Sequence, residues 1–259
     1  MNYMKTESLI LNRSVAKAVL ATVDRGLVKG LGSPQPGKMC IEAAVNFALG
    51  LPHGDNPSCV GPGVRDFKIR LNDCDWSSDT ARAKGMRQLA IAQLGSDTID
   101  QDSFREMLAF KGITKILPGY IRKYSGKYQK QLTGPDLSKL ETLAVEFETA
   151  KDYDSAKDLI KQNRGVGFGF GVGVVFGFGF GFGVGFGVVG GFGVGFGFGV
   201  GFGFGVGFGV GVGFGFGFEE FKEFFGDEFL NETAAIGLEC LIELKSPGCQ
   251  WLDLCEVKS

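Results

Sequence analysis

Residues 165–218 read GVGFGFGVGVVFGFGFGFGVGFGVVGGFGVGFGFGVGFGFGVGFGVGVGFGFGF, an almost perfect two-residue repeat. Glycine occupies every odd position except Val175 and Val189, and phenylalanine or valine occupies every even position except Gly190. Half glycine leaves too few side chains for a close-packed core and gives the chain a large conformational entropy to lose on folding. These residues, called the Gly-Phe tract below, are therefore considered separately from the rest of the chain.

The period of two places nearly every Phe and Val on one face of any β-strand that the Gly-Phe tract forms. We expect extended or irregular chain or loosely paired strands, because a shift by two residues gives an equivalent register. No charge or proline interrupts the repeat, so such strands would self-associate. The alternative is transmembrane helices, since the uncharged run far exceeds the roughly 20 residues that span a bilayer. A neutral expansion of a short DNA repeat would also produce this pattern.

Outside the tract, apolar residues recur at helical spacing between candidate caps and breakers. The pattern predicts an all-α protein with a single multi-helix domain that the tract interrupts. The expected helices lie near residues 6–27, 39–49, 64–71, 77–94, 102–117, 134–147, 152–163 and 229–244. Thr6 is the expected cap of the first helix, and Pro118 is expected to stop the fifth.

Composition suggests three segments along the chain. Residues 1–164 form a helical domain, residues 165–218 are the low-complexity tract, and residues 219–259 form a C-terminal helical segment. That last segment is too short to bury its own apolar face, so we expect it to pack back on residues 1–164. Long loops add little closure entropy, which makes such an insertion tolerable.

The net charge of −2 over 259 residues gives no global electrostatic signature for nucleic acid or for an anionic membrane. Residues 1–17 lack the apolar core of a secretory signal, so a cytoplasmic location is expected, with membrane association through the tract as the alternative. The six cysteines are expected to be free thiols. No sequence feature indicates a cofactor or a small-molecule substrate.

The densest group of reactive residue types lies between residues 40 and 74. Three thiols and the single histidine of the chain suggest a tetrahedral zinc site, although the paired cysteine spacing of strong zinc motifs is absent. The candidate ligands are Cys40, His53, Cys59 and Cys74.

A second hypothesis for the same region is a hydrolase active site. Cys40 begins a predicted helix, whose dipole would lower the pKa of a nucleophilic thiol, while His53 would be its base and Asp55 would orient the base. Against this reading, apolar neighbours such as Ile41 and Val45 predict a buried structural thiol.

A basic segment follows, because no acidic residue occurs between residues 107 and 135. Lysines on phosphates and tyrosines stacked on bases are how proteins bind single-stranded nucleic acid with little sequence preference. The candidate residues are Lys111, Lys115, Tyr120, Arg122, Lys123, Tyr124, Lys127, Tyr128 and Lys130. The pattern equally fits a solvated basic face.

None of these features is a decisive catalytic signature. The leading hypothesis is a non-enzymatic helical interaction protein that self-associates, or attaches to a membrane, through the Gly-Phe tract. The alternatives are a nucleic-acid-binding helical module that uses residues 111–130, and a Cys40/His53 hydrolase or zinc site.

Overall fold

The computed structural model describes residues 11–127, 129–130, 133–162, 166–168, 172–174, 177–182, 194–198, 206–208 and 218–256. Apart from one isolated β-bridge, the described elements outside the Gly-Phe tract are helices, so the all-α prediction is confirmed. The α-helices are α1 (Arg13–Val23), α2 (Ile41–Ala48), α3 (Pro62–Asn72), α4 (Asp79–Ala92), α5 (Gln101–Lys111), α6 (Leu117–Lys127), α7 (Gly134–Glu148), α8 (Tyr153–Gln162) and α9 (Phe218–Glu243). Two 3-10 helices, Ser96–Thr98 and Pro247–Cys255, and one π-helical turn, Gly112–Ile116, complete the set.

The chain divides into two compact units. The first unit contains residues 1–104 and 237–259, and the second contains residues 105–236. The two units are groups of residues that contact one another closely in space. The boundaries at residues 164 and 218 instead follow a change in amino-acid composition, and the three segments that they define stay a prediction.

The first helix is shorter than the periodicity predicts. Asn12 caps α1, because its side-chain oxygen accepts hydrogen bonds from the backbone N–H groups of Ser14 and Val15 at 2.9 and 3.1 Å. The predicted cap, Thr6, lies outside the described residues. The helix ends at Val23 because the chain turns at Gly26, whose φ of 115° is readily adopted only by glycine.

The core of the first unit is built from α1, α2, α3 and α4. Helix α1 packs against α2, α4 and the C-terminal 3-10 helix, and α2 also packs against α3. The fully buried side chains include Val19, Val23, Ile41, Val45, Phe67, Leu71, Met86 and Leu89. Deleting one such side chain would cost about 2–5 kcal/mol of stability.

Residues 237–256, although far away in the sequence, pack against this core. The Ser246 hydroxyl donates to the carbonyl oxygen of Ala92, and Arg87 Nη1 donates to the carbonyl oxygen of Cys255 at 3.1 Å. Gly248 lies so close to α4 that a Cβ at this position would be 2.0 Å from the carbonyl oxygen of Ile91. The C-terminal 3-10 helix therefore docks on α4 by backbone-to-backbone contact.

We expect Gly248→Ala to destabilise the first unit by about 3 kcal/mol, because a Cβ that meets backbone atoms cannot be relieved by a change of rotamer. Urea unfolding followed by circular dichroism measures the effect. Gly54→Ala is the matched control, since the nearest atom to its added Cβ would lie at an ordinary 3.7 Å. Equal stability of the two variants would contradict the close docking.

In the second unit, the prediction that Pro118 stops a helix is wrong. The π-helical turn Gly112–Ile116 joins α5 to α6, which begins at Leu117 and runs to Lys127. Pro118 is tolerated because it lies in the first turn of α6, where the wider π-turn relaxes the demand for its missing N–H. The core of this unit contains Ile113, Leu117, Ile121, Leu140, Leu143, Ala144, Phe147 and Ala156.

The described pieces of the Gly-Phe tract are short strands that pair with one another. Strands β1 (Val166–Phe168) and β2 (Val172–Val174) are antiparallel. Strands β3 (Gly177–Phe182), β4 (Val194–Phe198) and β5 (Val206–Phe208) are parallel, in the order β3-β4-β5. Among the residues that the structure describes, no helix has both the length and the apolar character needed to cross a membrane.

Candidate functional site

Cys40 occupies the N-cap of α2. Its Sγ accepts a hydrogen bond from the backbone N–H of Ala43 at 3.4 Å, and the residue is only 4 % exposed. Burial raises the pKa of the Cys40 thiol to about 11, although the amide N–H groups at the start of the helix favour the thiolate. The pKa shift is therefore opposite to the one that the nucleophile hypothesis needs, because loss of hydration outweighs the helix dipole.

The other candidates of that region lie in different environments. His53 is exposed and its Nε2 lies 3.2 Å from the carbonyl oxygen of Gly32, and Asp55 is also exposed. Cys59 is buried, and Cys74 donates from Sγ to the carbonyl oxygen of Arg70 at 3.2 Å. Burial raises the pKa of the Cys74 thiol to about 12.

The structure does not gather the proposed zinc ligands. Among the described residues, which include all four candidates, no group of three or more His, Cys, Asp or Glu side chains could hold a metal ion. The six cysteines are free thiols. The spacing of the cysteines in the sequence therefore does not correspond to a cluster in space.

A buried ion pair that the sequence patterns do not predict lies beside Cys40. Lys68 Nζ on α3 lies 2.6 Å from Glu42 Oε1 on α2, and both side chains are 0 % exposed. At this distance the ammonium of Lys68 and the carboxylate of Glu42 form a close, charge-assisted contact. Charged side chains are almost never fully buried unless they are paired, so this pair is the most unusual electrostatic feature of the first unit.

Burial moves the pKa values of the two partners toward each other. It raises the pKa of the Glu42 carboxyl, and the ammonium of Lys68 opposes that rise. It lowers the pKa of the Lys68 amine, and the carboxylate of Glu42 opposes that change. Proton transfer from lysine to glutamate is therefore much easier here than in water.

Two further side chains extend this polar contact into what we call the α2–α3 seam, formed by Glu42, Asn46, Arg65 and Lys68. Glu42 and Asn46 are four residues apart and so share one face of α2, while Arg65 and Lys68 are one turn apart on α3. Apart from the contact between Lys68 Nζ and Glu42 Oε1, this part of the seam has three buried polar atoms with no hydrogen-bond partner in the described part of the chain, namely Glu42 Oε2, Asn46 Oδ1 and Arg65 Nε. Native proteins contain few such atoms, so a group of them indicates a specialised site.

The loop from residue 49 to residue 61 is fastened to the α2–α3 seam. Asn46 Nδ2 donates to the carbonyl oxygen of Gly54 at 2.8 Å, and the Arg65 guanidinium donates to the side chain of Asn56. The backbone N–H of Leu51 donates to the carbonyl oxygen of Asn46 at 2.9 Å. The seam is thereby held in place from α2, from α3 and from the loop between them.

One sequence signal pointed to the seam. Glu42 is the only charged residue in the apolar run from Met39 to Val45. A single carboxyl in a helix that is apolar on most sides implies a buried charge, and a buried charge requires a partner. Lys68 could not be chosen as that partner from the sequence, because many other lysines and arginines are equally available.

The basic segment of the second unit is partly neutralised. Arg122 contacts two carboxylates, with Nη2 2.9 Å from Glu141 Oε1 and Nη1 in a bond with Glu148. Lys123 Nζ lies 3.8 Å from Glu228 Oε2, and both side chains are largely exposed. Arg122 is therefore held by protein carboxylates, which compete with any phosphate for it.

The other candidate residues for nucleic-acid binding are described only in part. Lys111 and Lys115 have interactions of their own, and Lys130 is exposed. Tyr128 and the side chains of Tyr120, Tyr124 and Lys127 lie outside the described residues. Nucleic-acid binding through residues 111–130 stays a prediction.

The sequence and the structure were compared with known protein families, proteins and structures. No protein-family model matches the chain, and the searches of curated proteins and of solved structures found no match.

Proposed function

We propose that this is a non-enzymatic helical protein that associates with further copies of itself through the Gly-Phe tract. The observation that carries the proposal is the almost perfect two-residue repeat of residues 165–218, which no charged residue or proline interrupts. Any strand formed by this sequence has one face of Phe and Val and one face of bare glycine backbone. Two such apolar faces would bury each other without a charged side chain to prevent it.

The pairing of the described tract strands supports this proposal. In the strand register, Phe178 of β3 is the Cα partner of Phe196 of β4, and Phe196 is the Cα partner of Phe208 of β5. Identical residues in register can continue from one chain to the next, because the repeat offers the same partner at every second residue. The helical segments before and after the tract would not take part in this strand pairing.

We expect the full chain to form large species as its concentration rises, which analytical ultracentrifugation would measure. A variant of equal length with Phe178→Lys, Phe196→Lys and Phe208→Lys is the matched control. Its assembly should need at least about tenfold higher concentration, because burying like charges costs more than the ~1.4 kcal/mol that a tenfold change requires.

Assembly of the lysine variant at the same concentration as the natural chain would contradict self-association through the tract. Membrane attachment through residues 165–218 is the alternative use of the same segment. It would be favoured if the protein stayed with the membrane fraction during extraction with alkaline carbonate while the purified chain stayed monomeric.

A further inference from the structure

The loop between α1 and α2 carries an exposed turn at residues 31–38 (LGSPQPGK), called the proline tip below. We propose that the proline tip docks an acidic peptide segment of a partner protein, one that also carries apolar side chains. Such docking would not involve the Gly-Phe tract, so it would be a second interaction beside self-association. Three features of the tip support it: a fixed backbone, exposed apolar side chains and two cations that remain available for a partner.

The base of this loop is fixed by polar groups at the end of α3. Asn72, which is 0 % exposed, donates from Nδ2 to the carbonyl oxygen of Val28 at 2.8 Å. Its neighbour Asp73 accepts a hydrogen bond from the backbone N–H of Gly30 at 2.7 Å. The backbone N–H of Val28 donates in turn to the carbonyl oxygen of Met39 at 3.0 Å. Both arms of the loop are therefore attached to the core of the first unit.

The proline tip is closed by backbone contacts and by two glycines in the left-handed region. Gly32 and Met39 form a β-bridge, and the backbone N–H of Ser33 donates to the carbonyl oxygen of Lys38 at 2.7 Å. Gly32 has a φ of 71°, and a Cβ there would lie 2.1 Å from the carbonyl oxygen of Lys38, so only glycine fits. Gly37, with a φ of 84°, turns the chain at the far end. A partner therefore meets a preformed tip, which lowers the entropy lost on binding.

Apolar side chains of the proline tip are exposed to solvent. Leu31 is 42 % exposed, and it is one of four large hydrophobic side chains that are exposed among the described residues. Pro34 and Pro36 are exposed as well. Covering such groups is favourable, and proline has no rotamer freedom to lose when it is covered. The tip thus offers apolar contact area to a partner at little entropic cost.

Two cations at the tip determine which partner fits. Lys38 is exposed, and Arg25 lies beside the tip, since a Cβ on Gly37 would be 3.6 Å from the Cβ of Arg25. Neither cation contacts a carboxylate within the described part of the chain, whereas Lys29 in the same loop is paired with Asp75 at 2.9 Å. An acidic segment can therefore neutralise both cations without breaking an existing ion pair, and this complementarity favours it over a neutral or basic one.

Fluorescence anisotropy with a labelled synthetic peptide tests this docking. The probe is a dodecapeptide of alternating glutamate and leucine, added to the full chain at concentrations at which the chain is monomeric. We expect binding that weakens as salt is added, because salt screens exposed charges. A dodecapeptide of alternating glutamate and serine keeps the charge and should bind about tenfold more weakly, because it lacks the apolar contact. No binding of the glutamate-leucine peptide, or equal binding of the two peptides, would overturn the proposal.

Variants at exposed side chains locate the contact without disturbing the core. Arg25→Gln and Lys38→Gln should each weaken binding of the glutamate-leucine peptide about threefold, and about tenfold together, since each removes one exposed ion pair. Leu31→Ser should weaken it about tenfold by removing apolar contact. Lys84→Gln, at an exposed lysine of α4, is the matched control and should bind the peptide like the natural chain. Undiminished binding by all the tip variants would place the peptide elsewhere and overturn the docking at residues 31–38.

Discussion

Replacing Lys68 by Met is expected to destabilise the first unit by about 3–5 kcal/mol at neutral pH, because it leaves the carboxyl of Glu42 buried without its partner. Glu42→Leu should cost a similar amount, since it leaves the Lys68 amine buried alone. Each replacement keeps roughly the natural side-chain volume, so a cavity contributes little. Urea unfolding of the natural chain and the variants measures both losses.

The two variants should differ in the direction of their pH dependence. In Lys68→Met, burial raises the folded-state pKa of Glu42 above its ordinary value of 4.5, so the variant loses stability as the pH rises through that region. In Glu42→Leu, burial lowers the folded-state pKa of Lys68 below its ordinary value of 10.5, so the variant loses stability as the pH falls. Unfolding curves between about pH 5 and pH 9 should therefore slope in opposite directions.

The double variant Glu42→Leu with Lys68→Met supplies the control. It removes both charges, so its stability should be close to that of the natural chain or at least well above that of either single variant. Losses that simply add, together with flat pH dependence in both single variants, would show that the pair is not a buried charge pair.

Replacing Arg82 by Met should cost the first unit about 4 kcal/mol, because the buried guanidinium serves several backbone carbonyls at once. Arg82 Nε donates to the carbonyl oxygen of Asn72 at 2.7 Å, and Nη1 donates to that of Leu27 at 2.9 Å. Nη2 lies 3.4 Å from the carbonyl oxygen of Cys74, and Asp79 provides the balancing carboxylate. One side chain thus connects the loop after α1, the end of α3 and the start of α4.

Two companions to Arg82→Met test this account. Arg82→Lys keeps the charge but lacks the planar fork of donors, so about half of the loss should remain. Arg87→Met lies on the same helix and removes bonds to Asp24 and Cys255 that are partly exposed, so it should cost at most about 1 kcal/mol. Thermal unfolding of the three variants would contradict the assignment if Arg87→Met were the most damaging.

The sequence predicts the helices well wherever apolar periodicity and a cap coincide. Helices α4 and α8 lie close to their expected ranges, since Ser78 caps one and Asp152 accepts from Ser155 at the start of the other. Pro118 led to a wrong helix end. A proline stops a helix only when the preceding turn cannot widen, and here the π-turn Gly112–Ile116 lets the helix continue. Local sequence does not reveal that choice.

The candidate site was harder to predict because its parts come from separate helices. The cluster of Cys40, His53 and Cys59 drew attention by residue type, yet burial makes Cys40 a poor nucleophile, and His53 is exposed. The contact between Glu42 and Lys68 depends on how α2 packs on α3, which periodicity does not specify. An isolated charge in an apolar helix predicts the existence of such a contact and leaves its partner open.

The first unit is assembled from two segments that lie far apart in the sequence. Residues 1–104 leave the ribosome before residues 237–259, which belong to the same unit but follow the second unit in the sequence. Domains that are continuous in sequence fold as they are made, whereas this unit must wait for a distant segment. Folding of this unit therefore requires contacts between segments that are far apart in the sequence, and such contacts form more slowly than local ones.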